Sequence, residues 1–175
     1  MNVQQWAAQQ RAKFEKIANC FGVAVNDVHA LQTQRIFVAG QNSTNGAIGS
    51  YNTTDPLYVN PKYSPKKFPT KGKTGSSKFK NGKAHKTGYF TSYSSFRQAI
   101  GRQTSVVDLR LSGALFRDYA SSLVRQGDRW IVGVKNKDNL GKLQGAIERY
   151  GATVFMLTKT ERELLKTRAA KCFNQ

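Results

Sequence analysis

The chain has 175 residues, of which 28 are Lys or Arg and 10 are Asp or Glu, so its formal net charge is +18. This length fits a single domain with a sizeable core, and the charge favours nucleic acid, an anionic membrane or an acidic assembly as partner. No run of about 18 apolar residues occurs, which excludes a membrane-spanning helix. We therefore expect one domain over residues 1–175.

The N-terminal region is predicted to be helical, because apolar residues recur there at helical spacing. They are Trp6, Phe14, Ile17 and Phe21. We interpret this stripe as a face packed on the core or on a neighbour. Gly22 is expected to break or kink the helix. Asn26 and Asp27 would cap a second helix, which ends near Gly40.

Two cysteines, Cys20 and Cys172, lie far apart in predicted helices. They have no C-x-x-C spacing, and the N-terminus lacks the cationic start and apolar run of a secretory signal. We expect both cysteines to be buried, reduced thiols, and we expect no export through a signal peptide.

Residues 41–88 are predicted to form a long, lysine-rich loop without a sustained period. The window between Pro56 and Val107 holds eleven Lys or Arg residues and no Asp or Glu. Such a segment repels itself and needs a polyanion beside it. We therefore expect the loop to contact a partner or nucleic acid. The candidate contact residues are Lys62, Lys66, Lys67, Lys71, Lys73, Lys78, Lys80, Lys83, Lys86, Tyr58, Tyr63, Phe68 and Phe79.

The cations of this window are nine lysines and two arginines. Lysine suits contacts to phosphate that ignore sequence, whereas arginine is favoured for reading bases. Nucleic-acid binding by the loop would therefore be non-specific and sensitive to salt. Two alternatives stay open. The loop is a solvated, disordered insert, or its aromatic rings anchor it to a neighbouring subunit.

The middle of the chain is predicted to contain a helix and then antiparallel strands. The helix is marked by Tyr89, Tyr93, Phe96 and Ile100 and closes at Gly101. A strand over 107–111 follows, because apolar and polar residues alternate there. Residues 115–134 are expected to form further strands, with a hairpin turn at 126–128.

The C-terminal part is predicted to be mostly helical. Asn139 is expected to cap a helix that ends at Gly151. Residues 154–157 would form a short buried edge, and Thr158 and Glu161 form a capping box for a last helix. The order of elements predicts an α+β fold in which a small antiparallel sheet is flanked by N- and C-terminal helices, with a long basic loop insertion.

Signatures of catalysis and of cofactor binding are missing from the sequence. The triplet at 72–74 resembles a phosphate-binding loop, but Lys67 stands where the upstream glycine is needed. Two histidines and two isolated cysteines do not have the spacing of a metal site. No serine lies in a G-x-S-x-G motif, and no pair of carboxylates stands out. We expect no enzymatic activity, no cofactor and no small-molecule substrate.

Several short motifs occur in an order that resembles a known family. They are Arg35-Ile36-Phe37 followed by Gly40, Leu111-Ser112-Gly113-x-Leu115, Val132-Gly133-Val134, Glu148-Arg149-Tyr150-Gly151 and the ending from Val154 to Thr158. This order is similar to that of the tail-completion, or virion-morphogenesis, proteins of tailed bacteriophages, which sit at the head–tail junction. The chain departs from the pattern in its lysine-rich insert and in Ser112, where Thr is common.

The resemblance implies a structural virion component of the head–tail connector, or neck. Copies would assemble as a homo-oligomeric ring between portal and tail proteins, after synthesis in the host cytoplasm. The basic loop would contact neighbouring subunits or DNA, and no membrane contact is implied. The alternative is a small non-specific DNA- or RNA-binding protein, which explains the charge equally well but not the order of hairpin and terminal helix.

Overall fold

The computed structural model describes residues 2–59, 74–78, 84–127 and 129–174, with the backbone alone for 74–78 and 84–87. The helices in these ranges are α1 (Val3–Gln34), α2 (Tyr93–Ala99), α3 (Ala114–Ala120), α4 (Lys137–Tyr150) and α5 (Lys159–Phe173). The strands are β1 (Leu57–Val59), β2 (Thr74–Lys78), β3 (Ala84–Phe90), β4 (Val124–Gln126) and β5 (Arg129–Ile131).

These elements confirm the predicted α+β class, with antiparallel strands and a helix at each end. Contacts divide the chain into two compact units, Met1–Ile48 with Asp108–Gln175, and Gly49–Val107. We call them the helical unit and the insert unit. The expectation of a single domain over the whole chain stays a prediction.

Helix α1 runs without interruption through Gly22, so the predicted break there is wrong. The glycine serves close packing instead. A Cβ at this position would lie 2.5 Å from the indole ring of Trp130, which is too close for any side chain. Gly22 therefore lets the β4–β5 hairpin lie against the helix.

The predicted end of this helical region at Gly40 is confirmed. After Gln34 the helix widens into a π-turn over Arg35–Ala39, and Gly40 closes it in the left-handed conformation, with φ of 64°. Its N–H donates to the carbonyl of Arg35. Glycine adopts this conformation without the Cβ clash that other residues suffer, so it is the usual residue at such an end.

Helix α5 packs antiparallel along α1. Its predicted capping box is confirmed, because Thr158 accepts from the N–H of Glu161 and Glu161 accepts from the N–H of Thr158. Glu161 also pairs with Arg35 at one end of the contact, and Arg168 pairs with Asp27 further along.

The same packing corrects the prediction of free thiols. Cys20 of α1 and Cys172 of α5 form a disulfide, with their Cα atoms 5.7 Å apart. The sequence did not indicate this pair, because the two residues are 152 positions apart. They meet only because the first and last helices lie side by side.

The insert unit is built on a three-stranded antiparallel sheet in the order β1-β3-β2. This corrects two predictions. Part of the expected loop at 41–88 is strand, and Tyr89 lies in β3 rather than in the helix that follows. Ser92 caps that helix, α2. The core of the unit contains Tyr51, Val59, Phe90, Phe96 and Val107.

The strand predicted over 107–111 does not form. A side-chain oxygen of Asp108 accepts from the backbone N–H of Arg110 at 2.9 Å, and Leu109 adopts a positive φ of 52°. Such a local turn competes with strand pairing. Residues 115–120, also predicted as strand, belong to α3, which buries Leu115 and Tyr119 on one face.

The predicted hairpin is confirmed as the pair β4–β5, with Val124 opposite Ile131. Helix α4 ends before Gly151 as predicted, but Asn136 rather than Asn139 caps its start. Asn139 is buried and donates to a carboxylate oxygen of Asp118 at 3.0 Å, which ties α4 to α3. The predicted edge at 154–157 begins as a short 3₁₀ turn, Ala152–Val154, rather than as a strand.

Reduction of the disulfide between Cys20 and Cys172 is expected to destabilise the protein. Opening a covalent loop of this length restores chain entropy to the unfolded state, which the entropy model values at about 5 kcal/mol. We expect dithiothreitol to lower the midpoint of urea unfolding. The double variant Cys20→Ser/Cys172→Ser should start at the lower midpoint and should not respond to the reductant. Two free thiols in the untreated, denatured protein would contradict the disulfide.

Candidate functional site

The predicted contact residues fall almost entirely outside the described ranges. These residues are Lys62, Lys66, Lys67, Lys71, Lys73, Lys80, Lys83, Tyr63, Phe68 and Phe79. Lys78 lies in β2 and Lys86 in β3, and the register pairs Lys78 with Ala84 and Ser76 with Lys86. The two lysines thus stand on neighbouring strands of the insert unit.

Tyr58 is the one predicted contact residue whose side chain is described. It lies in β1, is 58% exposed, and packs its ring 5.3 Å from that of Tyr89 on the paired strand β3. The exposed ring of Tyr58 can stack on a base or on a side chain of a partner. The insert unit therefore presents at least one partly exposed pair of aromatic rings.

The first part of α1 forms a second candidate surface, in the helical unit. Further along this helix, Glu15 pairs with Arg125 of the hairpin at 3.4 Å. Before that point Val3, Trp6 and Phe14 are 81%, 53% and 67% exposed. We call residues 3–14 the arm. These apolar residues lie on one side of the helix, because their spacings of three and eight approximate whole turns.

A half-open cleft of about 310 Å³ forms a third candidate site, also in the helical unit. Its lining is mostly apolar and aromatic and comes from α1, α3, the hairpin and the segment after it, α4, and the region from Phe155 into α5. Val28, Trp130, Leu143, Ile147, Phe155 and Leu165 are representative lining residues. This volume is at the lower end of the range for binding pockets, about 300–1,000 Å³. The cleft therefore suits one aromatic group better than an extended ligand.

Three polar residues of the cleft form hydrogen bonds with one another and with the backbone. His29 Nε2 lies 2.9 Å from the carbonyl of Tyr119, the hydroxyl of Tyr119 donates to Gln32 Oε1 at 2.9 Å, and Gln32 Nε2 donates to the carbonyl of Phe155 at 2.7 Å. Their hydrogen bonds join α1 to α3 and to the segment before α5. Because their donors are occupied, the cleft offers mainly apolar contact to a guest.

Burial sets the protonation states of this network. Burial lowers the pKa of His29 from its ordinary value of 6.5, and it raises the pKa of Tyr119. Both side chains are therefore neutral at neutral pH. Since the histidine faces a carbonyl through Nε2, that nitrogen carries the proton, and Nδ1 is buried without a hydrogen-bond partner.

The sequence did not reveal the arm or the cleft as sites. The sequence places Trp6 and Phe14 in an apolar stripe of the first helix. The signal that was missed is the difference in length between this helix and its partner. Helix α1 has 32 residues and its partner α5 has 15, so α5 cannot cover the whole stripe. His29, Gln32 and Tyr119 meet only through tertiary packing, and no local pattern marks them.

Comparison with protein-family models, curated proteins and solved structures gives no match to this chain. Among the described residues, no group of three or more His, Cys, Asp or Glu side chains is placed to hold a metal ion. None of the described helices is long and apolar enough to cross a membrane. The features that bear on function are therefore the surfaces of the molecule and its charge.

The lowered pKa of His29 predicts that the protein loses stability in mild acid. Below pH 6.5 the unfolded chain takes up a proton on this residue more readily than the folded chain does. The free energy of unfolding should therefore fall with decreasing pH, by at most about 1.4 kcal/mol per pH unit for one proton.

The variant His29→Gln keeps an amide donor near the Tyr119 carbonyl but does not titrate. Urea unfolding between pH 8 and pH 5 should show a shallower loss in this variant than in the wild type. Parallel pH profiles for the two proteins would contradict the assignment, because carboxylates titrate equally in both.

Proposed function

We propose that the protein is a structural, non-catalytic component of the head–tail connector of a tailed bacteriophage, assembling as a ring between portal and tail. The observation that carries the proposal is the exposed apolar face of the arm. A helical extension that keeps Trp6 and Phe14 in water is costly for an isolated subunit. A subunit that buries this face against neighbours regains that free energy on assembly.

The disulfide between Cys20 and Cys172 supports a place in the mature particle. Disulfides persist in oxidising surroundings, which include the surfaces of virions, and they are rare in proteins that stay in a reducing cytosol. A neck protein is made in the host cytoplasm and ends in a particle that is released from the cell. The bond would then form late and would hold the first and last helices of each subunit together.

The cationic insert supports a position near packaged DNA or an acidic neighbouring protein. Eleven Lys or Arg residues without an Asp or Glu between Pro56 and Val107 produce a strong local field. Such a field attracts phosphate without reading sequence. In a ring of identical subunits these segments repeat around the axis, so the attraction to a central polyanion is multiplied.

Quantitative mass spectrometry of purified particles from the source tests the connector role. We expect the chain to be present at a ring-like copy number relative to the portal protein, because a connector ring has a fixed number of subunits. Presence at variable, substoichiometric amounts would indicate packaged contamination. Absence of the chain from the particle would contradict the proposal.

The second candidate function is non-specific binding of DNA or RNA by the isolated protein, which the density of lysine favours. We expect duplex DNA to bind with an affinity that falls steeply as salt increases. Replacing Lys66, Lys67, Lys71 and Lys73 with Gln should reduce the slope of log affinity against log salt by as much as about 3–4. A matched variant changes four lysines of the helical unit, Lys13, Lys137, Lys142 and Lys166. If both variants bind like the wild type, the charge of the insert is incidental.

A further inference from the structure

The arm and the cleft are two unpaired apolar surfaces on one rigid helix. Val25, Val28, His29 and Gln32 of α1 line the cleft, whereas Trp6 lies near the start of the same helix. Trp6 and Val25 are separated by roughly 19 residues, which at 1.5 Å per residue is about 28 Å. A straight helix cannot fold back over this distance. The arm therefore cannot fill the cleft of its own chain.

We propose that the arm docks into the cleft of a second copy of this chain, with the indole ring of Trp6 as the inserted group. This inference rests on the proposed ring, and it names the contact that would build it. Because the donor and acceptor surfaces differ, the contact is heterologous, and repeated contacts produce a closed ring or an open filament.

The chemistry of the two surfaces is complementary. The cleft is lined by Trp130 and Phe155, which are partly exposed. Their aromatic rings offer edge and face contacts to an indole. At its border Val132 is 36% exposed and Leu140 is 43% exposed. Leu140 lies one turn before the lining residue Leu143, so the apolar surface continues outside the cleft. Tryptophan is also among the residues that most often anchor protein interfaces.

The area of the contact explains why a ring is favoured over a pair. Aromatic side chains bury about 150–250 Å² each, so the exposed parts of Val3, Trp6 and Phe14 offer roughly 300 Å². Counted on both partners, the contact buries roughly 600 Å², which is below the range of about 1,200–2,000 Å² for stable pairs. A copy inside a ring makes two such contacts, one through its arm and one through its cleft. Closure of the ring therefore adds a second contact to each copy, and the added buried area compensates for the small area of a single contact.

Sedimentation of the full-length protein at increasing concentration tests the contact. We expect the wild type to self-associate and the variant Trp6→Ala to require a concentration about 30-fold higher, which is the loss typical of a central aromatic anchor. Phe173→Ala is the matched control, since Phe173 is 67% exposed on α5 but belongs to neither surface. Equal association of the wild type and Trp6→Ala, or a wild type that stays monomeric at every concentration, would overturn the inference.

The cleft is tested from the other side by Val132→Glu, which places a charge at its border. Val124→Glu adds the same charge to an apolar residue of β4, which is 42% exposed and is not among the residues that line the cleft. We expect Val132→Glu to weaken self-association as Trp6→Ala does, and Val124→Glu to behave like the wild type. Melting temperatures of both variants establish that each is folded. If Val132→Glu is folded and associates normally, the cleft is not the acceptor.

Cross-linking detects the contact even when it is weak. A tagged Trp6→Cys chain and an untagged Val132→Cys chain are mixed and oxidised. We expect a disulfide-linked pair containing one chain of each kind, formed at least about tenfold faster than either self-linked pair, because a heterologous contact brings position 6 only to position 132. Linkage of position 6 mainly to itself would overturn the inference. Should particles contain the chain at ring stoichiometry while all these variants assemble normally, the connector role would stand and only this contact would be rejected.

Discussion

The helical unit depends on one buried ion pair, between Arg35 and Glu161. Arg35 Nε lies 2.9 Å from Glu161 Oε1, and each side chain is only 7% exposed. The other guanidinium N–H groups donate to the carbonyls of Gln41, Val154 and Met156 and to Glu161 Oε2. Glu161 in turn accepts from the N–H of Thr158 at the start of α5. Removing one member of such a buried pair typically costs about 3–5 kcal/mol, because the other charge is left uncompensated.

This pair fixes four segments with respect to one another. The π-turn at the end of α1 aims Arg35 inward, and Gly40 turns the chain so that Gln41 meets the same guanidinium. The segment from Val154 to Met156 wraps around the opposite side. With the start of α5 held here and its end joined to α1 by the disulfide, the two helices are fixed at both ends of their contact. The wall of the cleft that these helices form is therefore rigid.

The sequence predicted the features that depend on local chemistry. The capping box at Thr158, the end of the first helical region at Gly40 and the β4–β5 hairpin each follow from a few neighbouring residues. The sequence did not predict the features that depend on a residue far away in the chain. Gly22 looked like a helix end, but its function is to make room for Trp130. The cysteines looked free because sequence separation hid the antiparallel packing of the terminal helices. The cleft could not be predicted, since its lining comes from four helices and a hairpin.

Helix α1 is one rigid element that both builds part of the cleft and carries the arm away from it. A flexible linker between the two would let the arm fold back and satisfy the cleft within one chain. The continuous helix through Gly22 prevents this, so every isolated copy exposes both surfaces together. Two apolar surfaces that cannot meet within one copy are both available to a second copy, as the proposed contact requires. The glycine that admits Trp130 without breaking the helix is therefore a condition for the proposed association as well as for packing.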